Sequence, residues 1–206
     1  MARTSALTAQ DAGNTRRAIL DAALQVFARD GYDGASMPRI ARLAEVAPPL
    51  LHYYFGSKEK LWRETVGHSL DELRAEAATV MAATRALAPL DRLRSLLNVH
   101  SRFAARRPDH FFMIAAEARS DSERFAWVQE HYTGALFGEV VALLSAARDA
   151  GAIRDVAIDS LATMLMGAIL VNFTVYPSRP DLADSAAAAD RFSDLLFEVL
   201  LRGVAV

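Results

Sequence analysis

The residues best suited to chemistry lie close together in the first third of the chain. His52, Tyr53 and Tyr54 place an imidazole and two phenol groups on consecutive positions, and Lys58 follows where a new helix is predicted to begin. A lysine ammonium beside the free N–H groups of a helix N-terminus can bind a phosphate group. The segment therefore has the chemistry of a nucleic-acid contact, although His52 could instead cover the edge of a core and both tyrosines could be packing aromatics.

The rest of the sequence offers little for catalysis. It has no cysteine, which removes disulfides and thiol nucleophiles, and it has no paired acid/base motif, nucleophile elbow or phosphate-binding glycine loop. His100, Glu117 and His131 could meet in space, but their spacing matches no metal-ligand motif, and a hydrogen-bonded histidine is far commoner. We therefore expect no enzymatic activity, no metal and no cofactor.

Composition and charge set broad limits on the protein. The 206 residues carry a net charge of −2, and 52% of them are hydrophobic, enough for a sizeable core. The first 60 residues hold eight Lys or Arg against six Asp or Glu, an excess that ordinary surface charge explains equally well. The N-terminus has no apolar secretion signal, and the most apolar stretch, 161–175, is too short and interrupted to cross a bilayer. We expect a cytoplasmic protein without a membrane partner.

The elements that must position these residues are helices almost throughout. Ala, Leu, Arg and Glu dominate, and alternating runs of β-branched residues are missing, so the predicted fold class is all-α. Ser36 and Ser57 are expected N-caps, as is either Asp121 or Ser122 for the seventh helix, and Gly31 is expected to end the first helix as a left-handed C-cap. Nine helices are predicted, over 15–30, 36–44, 47–54, 57–83, 89–107, 108–119, 122–150, 155–176 and 185–202.

The second and third predicted helices are short, and a tight turn at Glu45 and Val46 separates them. This is the spacing of a helix-turn-helix, whose second helix can enter the major groove of DNA. We divide the chain into a flexible arm (1–13), a three-helix DNA-binding domain (14–60) and a larger six-helix domain for ligand binding and dimerisation (61–206). Apolar residues fall where the helix-turn-helix needs a core, at Phe27, Ile40, Leu43, Val46, Leu51 and Phe55.

This stretch resembles the DNA-binding signature of the TetR (tetracycline-repressor-like) family over about fifty consecutive positions. The resemblance implies a homodimer that binds a palindromic operator in double-stranded DNA. Its motifs are TRRAILDAA at 15–23, FARDGY at 27–32 and LHYYFGSKE at 51–59, with Ser36-Met37, Ile40-Ala41 and Val46 between them. By this resemblance the DNA-binding residues are Arg16, Ser36, Arg39, Ala47, Pro48, Pro49, Leu50, His52, Tyr53, Tyr54 and Lys58.

Three departures from the family pattern affect the helix-turn-helix. Glu45 stands where the family usually has glycine, and a positive φ there would cost about 1 kcal/mol or more. Ala47 replaces the usual Ser or Thr, so an N-cap hydrogen bond worth about 1 kcal/mol is expected to be absent. The tip of the third helix, residues 48–50, has no side-chain donor and cannot make bidentate base contacts. We therefore expect His52, Arg39 and DNA shape to supply much of the specificity.

The last two helices are apolar over more than one face. One face can pack internally and the other against a two-fold partner, which gives a four-helix dimer interface; the alternative is a helix fully buried in a monomer. The residues predicted at the dimer interface are Leu161, Leu165, Ile169, Phe173, Phe192, Leu196 and Leu200.

The fourth to eighth helices could enclose a ligand pocket. Aromatic and methionine side chains with a few polar groups are typical of a small-molecule cavity, and they are equally typical of an ordinary core. We expect an apolar or aromatic effector with one polar group. The candidate lining residues are His68, His100, Phe103, Phe112, Met113, Glu117, Trp127, His131, Phe137, Met166 and Asn172.

The function implied by the resemblance is sequence-specific transcriptional regulation, with a repressor that a small molecule releases from its operator. Two other functions remain open on the sequence. One is a DNA-binding dimer that responds to no effector, and the other is an α-helical enzyme, which the absence of catalytic motifs disfavours. A core without a cavity would favour the first of these.

Overall fold

A computed structural model of the chain describes residues 9–118, 122–174, 185–201 and 203. These residues form helices and connecting turns without a β-strand among them, which confirms the all-α fold class. The helices are α1 (Ala9–Gly34), α2 (Met37–Leu43), α3 (Pro48–Phe55), α4 (Lys58–Ala83), α5 (Pro89–Arg106), α6 (Pro108–Ala118), α7 (Glu123–Val128), α8 (Gly134–Asp149), α9 (Ile158–Thr174) and α10 (Ser185–Leu196), with π-helical segments at Gln129–Thr133 and Phe197–Leu201.

α1 is longer than the sequence pattern indicates. Gly31 has φ +68°, so the chain bends at the predicted end of the first helix and continues for one more turn. At its other end α1 begins at Ala9 and not at Thr15, so residues 9–13 of the predicted arm are helical. The first eight positions of that arm lie outside the described residues.

α4 connects the helix-turn-helix to the larger part of the molecule. It begins as predicted, because the Ser57 hydroxyl accepts a 3.1 Å hydrogen bond from the backbone N–H of Lys60. Its 26 residues span about 39 Å, and it packs against α1 and α3 on one side and α5 on the other. α5 lies in the middle of the larger part, against α4, α8, α9 and α10, while α6 packs across α1.

The predicted helix over 122–150 is interrupted. Ser122 caps it as expected, since its hydroxyl accepts from the N–H of Phe125 at 3.1 Å, but one π-helical turn separates α7 from α8. That turn brings backbone close to Gly134, where a Cβ atom would lie 2.7 Å from the carbonyl oxygen of Gln129. Such π-helical turns occur frequently at functional sites. The helical periodicity of the sequence gives no sign of it.

The predicted dimer-interface residues turn out to lie inside one subunit. Leu161, Leu165, Ile169, Phe173 and Leu196 are all buried among the described residues, and the half-buried Phe192 stacks edge-on against Phe173 with ring centroids 5.5 Å apart. The side chain of Leu200 lies outside the description. Both faces of each helix are apolar, so the sequence does not distinguish the face that packs within the subunit from a face that could meet a partner.

The outer faces of α9 and α10 carry exposed apolar side chains instead. Met164 and Val171 on α9 are 59% and 49% exposed, and Leu195 and Val199 at the end of the chain are 60% and 64% exposed. Ion pairs fix the orientation of α10 on α5, since Asp190 accepts two hydrogen bonds from Arg102 at 2.7 and 2.8 Å. The apolar outer face is therefore held in a defined position.

Candidate nucleic-acid interface and ligand cavity

The turn between α2 and α3 is a Schellman motif. Glu45 has φ +55°, in the left-handed region predicted for the position where the family has glycine. The N–H of Glu45 donates to the carbonyl of Arg42 at 3.2 Å, and the N–H of Val46 donates to the carbonyl of Ala41 at 2.9 Å. These two bonds satisfy the last carbonyls of α2 and set the angle at which α3 leaves it.

One face of α3 is buried against the core of the helix-turn-helix. Leu51 and Phe55 are fully buried, as is Ile40 on α2, so the predicted core forms around them. Leu43 is an exception, because its side chain is 48% exposed at the end of α2. Leu43 was predicted to lie in the core because it follows Ile40 by about one helical turn.

The opposite face of α3 is open to solvent. Tyr53 is 81% exposed, and Leu50 and Tyr54 are half-buried. The remaining predicted contact residues without charge are exposed: Ser36, Ala47, Pro48, Pro49 and His52. The face available to a DNA groove therefore contains proline rings, a phenol and an imidazole.

The cap positions of the two short helices differ from expectation in one case. Ala47 is the N-cap of α3 and makes no side-chain cap hydrogen bond, as predicted. Ser36 is the N-cap of α2, yet its hydroxyl makes no cap hydrogen bond either. Its exposed hydroxyl is therefore not held against the helix.

The three predicted phosphate-binding cations all have partners within the chain. Arg16 donates to the Glu64 carboxylate at 2.5 Å, and Arg39 donates to the Asp30 carboxylate at 2.5 Å. The Lys58 ammonium donates to two backbone carbonyls near the end of α1, at 3.0 and 3.3 Å. Contact with DNA would exchange these partners for phosphate oxygens.

Sequence reasoning did not single out one exposed cation of the helix-turn-helix. Arg42 is exposed in the last turn of α2 and has no ion-pair partner among the described residues. It borders a surface groove between α2, α1 and α6, together with Arg39 and Phe112. The sequence does show that Arg42 lies near the end of a short predicted helix, next to the turn.

The larger part of the molecule contains a separate cavity of about 460 Å³. Three of the predicted lining residues, His100, Phe137 and Met166, are brought together there. The other lining residues were not singled out from the sequence: Leu70, Leu73, His110, Phe111, Ile114, Gln129, Thr133, Gly134 and Leu136.

Two of the polar residues that line this cavity are buried histidines. The Nδ1 atom of His100 lies 2.9 Å from the carbonyl oxygen of Leu96, and its Nε2 atom has no partner. His110 packs edge-on against Phe103 and Phe111, and its Nδ1 atom has no partner. Burial lowers the pKa of His100, and burial followed by the nearby Arg107 charge lowers the pKa of His110 to about 3. Both rings are therefore neutral at neutral pH.

The other eight predicted lining residues lie elsewhere. Phe103 and Met113 are buried in the core, and Phe112 borders the groove beside α2. His68 and Trp127 line a groove on the other side of α4. Phe111 and Ile114, the neighbours of Phe112 and Met113, line the cavity instead, because one helical position turns a side chain by about 100°.

Three of those eight are polar residues with other surroundings. His131 is exposed and stacks on Trp127 with ring centroids 4.9 Å apart. Glu117 accepts from Ser122 at 2.7 Å and from Arg124 at 3.0 Å, and Asn172 is half-buried near the end of α9. In the described ranges no three His, Cys, Asp or Glu side chains form a group that could hold a metal ion.

Comparison with known proteins supports this description. The family model for bacterial regulatory proteins of the tetR family matches residues 19–65. The chain is 30% identical over 217 aligned positions to the HTH-type transcriptional repressor NicS of Pseudomonas putida, covering 98% of each chain. It is 38% identical over 111 residues to the HTH-type transcriptional regulator BetI of Rhizobium meliloti, a match to 52% of this chain and about half of BetI (54%).

The overall fold also matches solved structures. The ketosteroid transcriptional regulator KstR2 of Mycobacterium tuberculosis superposes with a TM-score of 0.77 at 22% identity, covering 93% of this chain and 95% of KstR2. A tetR-family regulatory protein from Rhodococcus RHA1 gives a TM-score of 0.74 at 20% identity, covering 93% and 98%. At these identities the likeness shows the fold alone.

The fold and the matched segment define a helix-turn-helix DNA-binding transcriptional regulator. The chain belongs to the TetR family. Within the described ranges, no helix is both long and apolar enough to cross a membrane.

Proposed function

We propose that this chain is a homodimeric repressor that a small effector releases from a palindromic operator. The observation that carries the proposal is that α4 contributes to both sites. Its N-terminus follows α3 directly, and its residues Leu70 and Leu73 line the cavity. A ligand that favours one orientation of α4 therefore also favours one position of α3. The ligand can shift this equilibrium only by the difference in its affinity for the two states.

In this proposal residues 14–60 bind DNA, and residues 61–206 bind the effector and form the dimer. The exposed face of α3 enters the major groove, with Tyr53 and His52 at its surface. On binding, Arg16, Arg39 and Lys58 exchange their partners within the chain for DNA phosphates. These phosphate contacts position the protein but carry no sequence information. Arg42 joins them as a further phosphate contact.

The second subunit packs against the outer faces of α9 and α10. Met164 and Val171 on α9, Leu195 on α10 and Val199 just beyond α10 are exposed apolar side chains. Two copies of this surface related by a two-fold axis give a four-helix interface, which buries side chains that water otherwise contacts. Such a dimer places two copies of α3 to read the two halves of a palindrome.

The cavity favours this function over a DNA-binding dimer without an effector. Such a dimer needs no cavity of about 460 Å³, and leaving apolar side chains around it without packing partners costs free energy. We assign no catalytic role to the chain, in line with a family of transcriptional regulators. Because a repressor acts on the chromosome, we place it in the cytoplasm.

The test is an operator titration by fluorescence anisotropy, with DNA from upstream of the gene and from neighbouring promoters. We expect tight binding of one such fragment and a loss of roughly tenfold or more in affinity at saturating effector. Met166→Trp, which fills the cavity, should bind the same fragment and lose the response. DNA affinity that stays unchanged with every ligand that binds would contradict effector release, and failure to bind any fragment would contradict operator recognition.

A further inference from the structure

Two of the polar residues that line the cavity are histidines with an unpartnered ring nitrogen. The Nε2 atom of His100 and the Nδ1 atom of His110 are buried, belong to residues that line the same cavity, and accept or donate no hydrogen bond. Each of the two residues is at most 2% exposed. A buried polar atom without a partner costs free energy and calls for an explanation, and a bound molecule that supplies the missing partner is one.

The hydrogen bond of His100 defines which chemistry its free nitrogen offers. A carbonyl oxygen only accepts hydrogen bonds, so the Nδ1 atom that lies 2.9 Å from the Leu96 carbonyl must carry the proton. In the neutral ring the Nε2 atom is then an acceptor. A residue in the cavity wall therefore carries an unused hydrogen-bond acceptor.

The residues that line the cavity carry no formal charge. None of the twelve lining residues is Lys, Arg, Asp or Glu, and both histidines are neutral at neutral pH. The polar side chains besides the histidines are Gln129 and Thr133, and the others are apolar. An ion that entered would lose its hydration without gaining a counterion, which is strongly unfavourable.

We propose that the effector is an uncharged, mainly apolar molecule whose hydroxyl or N–H group donates a hydrogen bond to Nε2 of His100. The inference deepens the proposed function and rests on it. Carboxylates and ammonium compounds of the same size are excluded from the cavity. The unpartnered nitrogen of His110 gives the cavity a second polar position, where an additional polar group on the molecule can bind.

Calorimetry on the purified full-length protein tests this proposal with three probes of one ring system. The probes are 2-naphthol, which has a hydroxyl donor, 2-methoxynaphthalene, which has none, and 2-naphthoate, which is an anion. We expect 2-naphthol to bind roughly tenfold more tightly than the methyl ether, as one hydrogen bond to a buried acceptor predicts, and 2-naphthoate not to bind.

Two variants locate the effect. His100→Leu should bind both neutral probes with equal affinity, because it removes the acceptor and keeps the volume. Ser101→Ala is the matched control: its hydroxyl is equally buried and unpartnered on the same helix but does not line the cavity, so the preference for 2-naphthol should persist. If His100→Leu fails to fold, His100→Gln replaces it, and its loss of the fixed ring acceptor should reduce the preference at least threefold.

Three results would overturn the proposal: no binding of 2-naphthol at its solubility limit, equal binding of the two neutral probes by the wild type, or an unchanged preference in the His100 variant. These results are separate from those of the operator titration. A probe that shows the expected preference but leaves operator affinity unchanged supports the chemistry of the cavity and contradicts effector release.

Discussion

The guanidinium carbon of Arg124 lies 3.8 Å from the centroid of the Tyr32 ring, where the start of α7 meets the end of α1. The Lys58 ammonium lies over the same ring, 4.5 Å from its centroid, and an ion pair with Glu117 at 3.0 Å holds Arg124 in place. Cation–π contacts contribute about 0.5–2 kcal/mol each. α7 continues into the π-helical turn that lines the cavity, so Tyr32 connects the cavity wall to the DNA-reading unit.

Replacing Arg124 should weaken the coupling between the two sites. In Arg124→Met we expect effector affinity to stay within about twofold of the wild type, while the effect of the effector on operator affinity falls by roughly fivefold. Effector binding by calorimetry and operator binding with and without effector measure the two quantities. Arg148→Met is the control, since Arg148 pairs with the adjacent Asp149 and with no other residue in the described ranges. Full coupling in Arg124→Met would show that the signal does not pass through this contact.

Glycine at position 45 should stabilise the protein. Glu45 has φ +55°, a conformation that costs a residue with a side chain about 1 kcal/mol and costs glycine nothing. Glu45→Gly should therefore raise the free energy of unfolding by about 1 kcal/mol in urea titrations. Ala44→Gly, at a neighbouring position with φ −78°, should lower it by about 0.5–1 kcal/mol. A loss of stability in Glu45→Gly would mean that the carboxylate makes a compensating contact.

His52 and Lys58 should affect DNA binding in different ways. His52→Ala should reduce the preference for the operator over unrelated DNA, because an exposed imidazole on α3 can reach base edges. Lys58→Ala should weaken all DNA about equally and reduce the slope of affinity against salt concentration by about one.

Arg85→Ala is the control for charge alone, since Arg85 lies beyond the far end of α4 and should leave the slope unchanged. Salt titrations with operator and unrelated duplexes measure both effects. Identical behaviour of the His52 and Lys58 variants would contradict this division of roles.

An acidic residue on the outer face of α10 should disrupt the dimer. Leu195→Asp places a charge within the proposed interface, and we expect the dimer dissociation constant to rise at least a hundredfold, because a buried unpaired charge is costly. Sedimentation equilibrium measures this constant. Leu87→Asp is the matched control, since Leu87 is 50% exposed in the turn between α4 and α5, away from α9 and α10. A stable dimer of Leu195→Asp would place the interface on another face.

Stability should fall in acid because of His110. Its pKa is lowered from 6.5 to about 3 in the folded protein, so the unfolded chain binds the proton first as the pH falls. The contribution of neutral His110 to the free energy of unfolding is therefore complete above about pH 6.5 and is lost as the pH approaches 3. About 1.2 kcal/mol of this free energy is lost between about pH 6 and pH 5.

Urea titrations at both pH values, in the wild type and in His110→Phe, measure this contribution. The loss should be about 1 kcal/mol smaller in His110→Phe, whereas replacing the exposed His131 by Phe should change it little. An equal loss in the wild type and in His110→Phe would show that His110 is protonated in the folded state.

Sequence alone determined the features that depend on neighbours along the chain. The Ser57 cap and the left-handed Gly31 each involve hydrogen bonds or dihedral angles within a few residues, so the residue types predict them directly. The positive φ of Glu45 was expected only through the family resemblance, which has glycine at this position. The burial of Leu51 and Phe55 follows for the same reason, because helical periodicity places both on one face of a short helix.

Only the tertiary structure decided which apolar face of a long helix points inward. Leu161 and Met164 both lie on α9, and hydrophobicity does not distinguish them, yet α9 packs against α5 and α8 so that Leu161 is buried and Met164 is exposed. The sequence did not predict the position of His110 either, since its place at the cavity depends on how α6 packs against the other helices. Such contacts join residues far apart in sequence, and no local pattern of residue types records the arrangement of distant helices.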